Sequence, residues 1–271
     1  MRAGFIGAGR MGRPMVDQLV KAGHEVRVLG RTPQARDDLR AAGAVPVAAV
    51  AGVAEGAAAV IVCVFSDQQV KQVCLGSAAD GAGLIDAMPA GSVLVVHTTG
   101  SPATAAELAA RAAPRGVGVI DCPVSGGPHD IAAGRVTLFA GGKAEDTERV
   151  RPLLATYGDP VLRVGPLGAG QGVKLVNNAV FAANIGLLAD AARLAASFGV
   201  PEDLLLQALT HGSAASRALT ATASRGSVAA FSAAVAEFLG KDVAVVRATA
   251  AERGASLGAL DAAIGALGMS E

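Results

Sequence analysis

A chain of 271 residues that is 52% hydrophobic can bury one large core or two modest ones, which excludes a disordered polymer. The formal charge is zero, with 16 basic and 15 acidic residues up to position 165 and 7 and 8 beyond it, so neither half is a basic footprint for nucleic acid or an anionic membrane. Aromatic residues make up 3% and tryptophan is absent, which leaves little for base- or sugar-stacking platforms.

Up to residue 165, short β-branched runs alternate with helical stretches. The runs are GFIG at 4 to 7, EVRVL at 25 to 29, AVIVCVF at 59 to 65, VLVVH at 93 to 97, GVGVID at 116 to 121 and VTLFAG at 136 to 141. Continuous apolar strands separated by helices predict a parallel sheet covered on both faces, an α/β doubly wound domain over 1–165. From 166 to 271 the pattern is all helical: an Ala/Leu-rich helix from about 170 to 198 that links the halves, PEDLLLQAL at 201 to 209, and stretches at 231 to 254 and 258 to 268. Pro201 suits a first helical position, with Glu202 and Asp203 at the positive helix end. Asn184, Asp190 and Arg193 interrupt the longest apolar tract, which reads as a core helix and not a membrane span. A helix of roughly thirty residues runs about 45 Å, more than one small domain covers, so a homodimer or homotetramer through the helical half is expected. The start, MRAGFIGAGRMG, passes straight from strand to glycine loop and predicts no secretory leader and a cytoplasmic location. Cys63, Cys74 and Cys122 lack CxxC spacing and His24, His97, His129 and His211 form no HxxxH pair, so neither a disulfide framework nor a metal site is expected.

Gly7, Gly9 and Gly12 of GAGRMG follow a strand and open a helix. The first permits the tight turn, the second lets backbone approach a pyrophosphate, and the third lets helix and strand pack closely. The acid expected at the end of the second strand to hold a ribose diol is missing. LGRTP at 29 to 33 puts Gly30 there, with Arg31 and Thr32 suited to a 2′-phosphate, so NADP(H) is favoured over NAD(H).

Two glycines after a serine, in DCPVSGG at 121 to 127, expose N–H groups beside a hydroxyl at a strand end. Ser125, Gly126 and Gly127 then make either a carboxylate seat or simply a wide turn. Ser101 before Pro102 reads as a helix cap. In GAGQGVKLVNN, at 168 to 178, Lys174 and Asn178 are four apart on one helix face and can reach one small molecule. Burial and the positive helix end would both lower the amine's pKa from about 10.4, fitting it to move protons near neutrality as arginine cannot. The plain alternative is a lysine snorkelling from the first turn.

These pieces, with Gly240-Lys241-Asp242, occur in an order and spacing that resembles the β-hydroxyacid dehydrogenase family, which includes 3-hydroxyisobutyrate dehydrogenase and tartronate semialdehyde reductase and is related to 6-phosphogluconate dehydrogenase. The resemblance implies an NADP-preferring dehydrogenase of a small 3-hydroxy acid, with Lys174 as general acid and base and Asn178 holding the reacting oxygen. It implies that Ser125, Gly126 and Gly127 seat a carboxylate, that Ala8, Arg10, Met11, Val64, Phe65 and Thr99 lie along the cofactor, and that Lys241 touches cofactor or substrate. Two departures bear on the substrate: Asp130-Ile131 stands where the family has Gly-Ala, and His97-Thr98 replaces Asp or Met followed by Ser. An imine reductase-like enzyme is one alternative, against which Lys174 weighs. The other is a non-catalytic NADP(H)-binding module, which needs the glycine loop and no lysine.

Overall fold

Successive residues of a strand point to opposite faces of a sheet, and the first half of the chain uses that alternation to fill two cores at once. The computed structural model describes residues 1–77 and 81–267. In chain order it runs β1 (Arg2–Ile6), α1 (Gly12–Lys21), β2 (Glu25–Leu29), α2 (Pro33–Ala41), β3 (Val45–Val47), α3 (Val50–Ala54) and β4 (Ala59–Val62). Then come α4 (Asp67–Leu75), the short ladder β5 (Gly76–Ser77) with β6 (Gly81–Ala82), α5 (Leu84–Ala87), β7 (Val93–Val96), α6 (Pro102–Ala112) and β8 (Gly118–Asp121). β9 (Val124–Ser125), α7 (Pro128–Ala132), β10 (Val136–Gly141), α8 (Ala144–Leu154) and β11 (Gly158–Gly165) follow. The helices α9 (Ala169–Ser197), α10 (Glu202–Leu209), α11 (Arg217–Ala223), α12 (Val228–Glu252) and α13 (Ala259–Gly265) complete it.

Ala3, Phe5, Ala59, Ile61, Val93 and Val95 face one core, closed by Met15, Val16 and Leu19 of α1 and Val150, Leu153 and Leu154 of α8. Their neighbours Ile6, Val60, Val62, Leu94 and Val96 face the other, closed by Val70 and Cys74 of α4 and Leu108 and Ala112 of α6. Such strands are apolar without a break because both faces are covered. The six strands β3-β2-β1-β4-β7-β8 are parallel, in register Ala3 with Val26 and Ala59, Ala59 with Val93, and Val93 with Gly118. β10 joins β8 antiparallel, β11 lies parallel to β10, and β9 pairs with β10. The chain leaves β1 where the strand order reverses, the place at which doubly wound sheets open a crevice.

All six predicted strands are present, although the 59 to 65 run stays extended in the sheet only to Val62. Among the described residues, five strands were not foreseen, the two-residue β5 and β6 of the small ladder and three strands of the main sheet. β3 and β11 are edge strands carrying Pro46 and Pro160, and β9 has two residues, too few to show an alternation.

The chain divides into two units, Met1–Lys174 and Leu175–Glu271. The second is all helical, and α9 links the two. Ala182, Ala183, Ile185 and Leu188 of α9 share a core with Phe231, Val235, Leu239 and Val243 of α12, Leu206 of α10, Leu219 of α11 and Ile264 of α13. Phe181 meets Phe231 edge-on at 6.2 Å between ring centres. At Gly186 the backbone of α13 comes so close that a Cβ would stand 1.8 Å from the Ala263 carbonyl oxygen. By length and apolarity α9 meets the requirement for crossing a membrane, but one side of it supplies this helical core. Pro201 caps α10 from outside instead of occupying its first turn, its ψ of 146° being extended. α11 was not foreseen either; Ser216 caps it by accepting from the Leu219 N–H. Of the stretch predicted at 258 to 268, residue 268 lies outside the described residues.

Candidate active site

The three glycines of the first loop do different work. Gly7 leaves β1 at φ +101°, and a Cβ on it would stand 2.1 Å from the Cys63 carbonyl oxygen. A Cβ on Gly12 would stand 2.1 Å from the Gly7 carbonyl oxygen and 2.8 Å from the Phe5 ring, whereas one on Gly9 would meet nothing within 4 Å. Packing therefore demands the first and third glycines, and the second leaves bare backbone beside open space. Ala8, Arg10 and Met11 complete the turn. Met11 offers α1 no side-chain cap, so the N-cap side chain does not compete with an anion for the first N–H groups of that helix. This geometry fits a dinucleotide pyrophosphate.

At the end of β2 the missing acid has a packing cause. The Arg36 side chain lies across Gly30, whose Cβ would stand 2.5 Å from its Cγ, and its guanidinium donates to the Gly30 carbonyl at 2.9 Å. Arg31 is exposed beside it. Thr32 caps α2, its Oγ1 accepting from the Ala35 N–H at 3.1 Å, and a capping hydroxyl keeps its own O–H to donate. Arg36 is thus a second cation at this strand end, not evident from the LGRTP motif alone.

The loops after β4 and β7 hold each other. Thr98 Oγ1 accepts from the Val64 N–H at 2.9 Å and donates to the Val64 carbonyl at 3.0 Å. Thr98 is thereby turned inward, while Thr99 is partly exposed and Phe65 is half exposed at the same end of the sheet. His97 is buried: Nδ1 donates to the Cys122 carbonyl at 2.5 Å, which leaves Nε2 of the neutral ring to accept from the Tyr157 hydroxyl at 2.8 Å. This departure from the family pattern is absorbed by the core. Burial pushes the thiols of Cys63 and Cys74 up to about 12, so neither is a thiolate nucleophile near neutrality.

Asp121, at the end of β8, fastens the head of α9. Its Oδ1 accepts from the Gly168 N–H and its Oδ2 from the Gln171 N–H, both at 2.6 Å. Burial pushes this carboxyl up to about 6, and the N–H groups of Gln171, Gly168 and Gly170 pull the other way, towards the ionised form. Gln171 adds a second clamp: its side chain accepts from the Gly100 N–H at 3.0 Å and donates to the Thr98 carbonyl at 2.8 Å. Lys174, half-buried, stands one turn further along the helix. The positive helix end invoked above for its ammonium is already answered by a carboxylate.

Ser125 ends β9, and Gly126 and Gly127 lead into α7, with Gly126 at φ +138°. Here the structure differs from an open seat of N–H groups. The Gly127 N–H donates to Asp130 Oδ2 at 2.7 Å, an acid three residues on reaching back to the residue that caps its helix.

On α9 beyond Lys174, Asn178 is buried. Its Nδ2 donates to Asp242 Oδ2 at 2.5 Å, and its Oδ1 accepts from Asn177 at 3.0 Å. Asp242 Oδ1 pairs with the Lys241 ammonium at 2.6 Å. Asp242 thus orients both Asn178 and Lys241; its place beside Lys241 was visible in the sequence, its partner 64 residues away was not.

Comparisons with known proteins agree with this architecture. The profile of the NAD binding domain of 6-phosphogluconate dehydrogenase matches residues 2–165, and that of the NAD-binding domain of NADP-dependent 3-hydroxyisobutyrate dehydrogenase matches 168–267. The chain is 35% identical to the NAD-dependent L-serine dehydrogenase of Pseudomonas aeruginosa and 34% identical to the 3-hydroxyisobutyrate dehydrogenase of that organism, in each case covering 79% of this chain and 71% of the other. The structure of Mycobacterium tuberculosis 3-hydroxyisobutyrate dehydrogenase with L-serine superposes with a TM-score of 0.84 at 25% identity, covering 98% of this chain and 92% of that one.

The buried His97 makes stability depend on pH. Burial lowers its pKa to about 4 from 6.5, against the opposing pull of the Cys122 carbonyl. The folded state therefore binds fewer protons than the unfolded state between these values, and stability from this group is complete above pH 6.5 and lost as pH falls towards 4. His97→Gln removes that loss, so the stability gap between wild type and variant narrows from pH 7 to pH 4 in urea unfolding. A gap that stays constant or widens contradicts the assignment.

Proposed function

The chain belongs to the β-hydroxyacid dehydrogenase family that includes 3-hydroxyisobutyrate dehydrogenase, and on that premise we propose that it interconverts a small 3-hydroxy acid and its semialdehyde or keto acid with Lys174 as proton donor and acceptor. Membership makes it an NAD(P)-dependent oxidoreductase. The observation that carries the proposal is the placement of Lys174: one turn beyond a helix head fastened by Asp121 and Gln171, with Asn178 four residues on along the same face.

When bound, the nicotinamide cofactor supplies or receives the hydride. Gly9 and the head of α1 would hold its pyrophosphate, Val64, Phe65 and Thr99 would line it, and Arg31, Thr32 and Arg36 would receive a 2′-phosphate, which favours NADP(H). In reduction, Lys174 Nζ gives a proton to the carbonyl oxygen as the carbonyl carbon gains hydride, and the amine is reprotonated from solvent; in oxidation it takes the hydroxyl proton. The ammonium also meets the negative charge that develops on that oxygen. One N–H of Asn178 is held by Asp242, which leaves the other to aim at the substrate oxygen. Lys241, fixed by the same acid, serves cofactor or substrate. Ser125, Gly126 and Gly127 face the substrate carboxylate.

The remaining partner is a second copy. Val180, Leu187, Leu194 and Phe198 form an exposed apolar row along α9, the kind of surface that a protomer interface covers. The protein works in the cytoplasm on this reading.

Lys174→Ala is expected to lower kcat by about two orders of magnitude or more, the range for general acid–base groups, with little change in NADPH affinity. Near-normal kcat in steady-state assays on C3 and C4 semialdehydes rejects its role. NADPH is expected to bind roughly tenfold or more tightly than NADH, since a hydrogen bond to a charged group contributes about 1.5–3 kcal/mol. Fluorescence titration showing tighter NADH binding reverses the preference. Sedimentation at micromolar concentration should give a dimer or tetramer, and a single monomeric species removes the interface.

A further inference from the structure

A carboxylate seated on the Ser125–Gly127 loop needs free N–H donors and no like charge close by. This loop departs from both conditions. The Gly127 N–H is already given to Asp130 Oδ2 at 2.7 Å, and a Cβ on Gly126 would stand 2.8 Å from that same oxygen, so the Asp130 carboxylate lies against the backbone of both glycines. The His129 ring nitrogen Nε2 is 3.3 Å from this oxygen, but its side chain is 83% exposed, whereas that of Asp130 is 20% exposed. The negative charge is therefore set into the loop, not out in solvent. Two carboxylates sharing one small site repel each other, and a substrate whose only charge is its acid group has nothing of its own to offset that repulsion.

A substrate that carries a cation beside its carboxylate meets the opposite situation. Its acid group uses Ser125 Oγ and the remaining N–H groups, and its cation faces Asp130, so the loop offers donors and a fixed anion side by side. We propose that Asp130 is a specificity-determining residue that selects zwitterionic substrates, a 3-hydroxy acid bearing an ammonium group next to the carboxylate, over the corresponding simple acid. The proposal rests on the hydroxy-acid chemistry assigned above and narrows it to one charge pattern. Specificity of this kind comes as much from penalising the wrong partner as from binding the right one.

The test compares kcat/KM for 2-amino-3-hydroxypropanoate, both enantiomers, with that for 3-hydroxypropanoate, using NADP+ and wild type, Asp130→Asn and Asp130→Gly. The asparagine keeps an acceptor for the Gly127 N–H and removes the charge; the glycine removes both. Wild type is expected to favour the amino acid at least tenfold, and that ratio is expected to fall at least tenfold in both variants. If Asp130 only caps α7, both substrates lose activity together and the ratio stays fixed, which overturns the proposal while leaving the Lys174 chemistry intact. If wild type prefers the simple acid, the proposal is likewise overturned. If wild type oxidises neither substrate nor reduces any C3 or C4 semialdehyde, the hydroxy-acid chemistry itself fails and this proposal falls with it.

Discussion

The interaction on which the site depends is the fastening of α9 by Asp121. A long helix begins with N–H groups that have no partner within it and a partial positive charge, and here both are met by one carboxylate at the end of β8. The strand is fixed by the sheet, so its last residue carries the sheet's rigidity into the first turn of the helix. Gln171 repeats the tie to the loop after β7. Because 3.6 residues make a turn, fixing Gln171 sets the direction in which Lys174 leaves the helix. A proton donor held this way, as proposed for Lys174, would need little reorganisation during reaction.

The same economy runs through the end of the sheet. Thr98 ties the loop after β7 to Val64, and His97 ties β7 to Cys122 and Tyr157. Neither side chain has to touch a ligand to matter. Each removes a degree of freedom from a loop that carries a residue expected to do so, Thr99 in one case and Ser125 in the other.

Much of this was legible in the residues. The glycine spacing, the apolar runs and the switch from alternating strands to helices alone depend on local pattern, and a local pattern survives in a single sequence. What was not legible depends on partners far along the chain. Asp121 stands 47 and 50 residues before the N–H groups it accepts from, and Asn178 lies 64 residues from Asp242. Arg36 over Gly30 was missed although it is only six residues away, because an absent acid invites a chemical reading first and a packing reading second. Asp130 stands out as a departure in the sequence, yet only the fold shows that it occupies the Gly127 N–H. Edge strands with proline, such as β3 and β11, fell outside the strand pattern for a physical reason: an edge tolerates what a central strand rejects.

The contact at Gly186 has a bearing on how the helical unit can be altered. With the Ala263 carbonyl where a side chain would begin, backbone meets backbone, and nothing there can yield by turning a rotamer. Any redesign of that seam has to start with the path of residues 259–265, because enlarging position 186 alone would lever α13 off its neighbour.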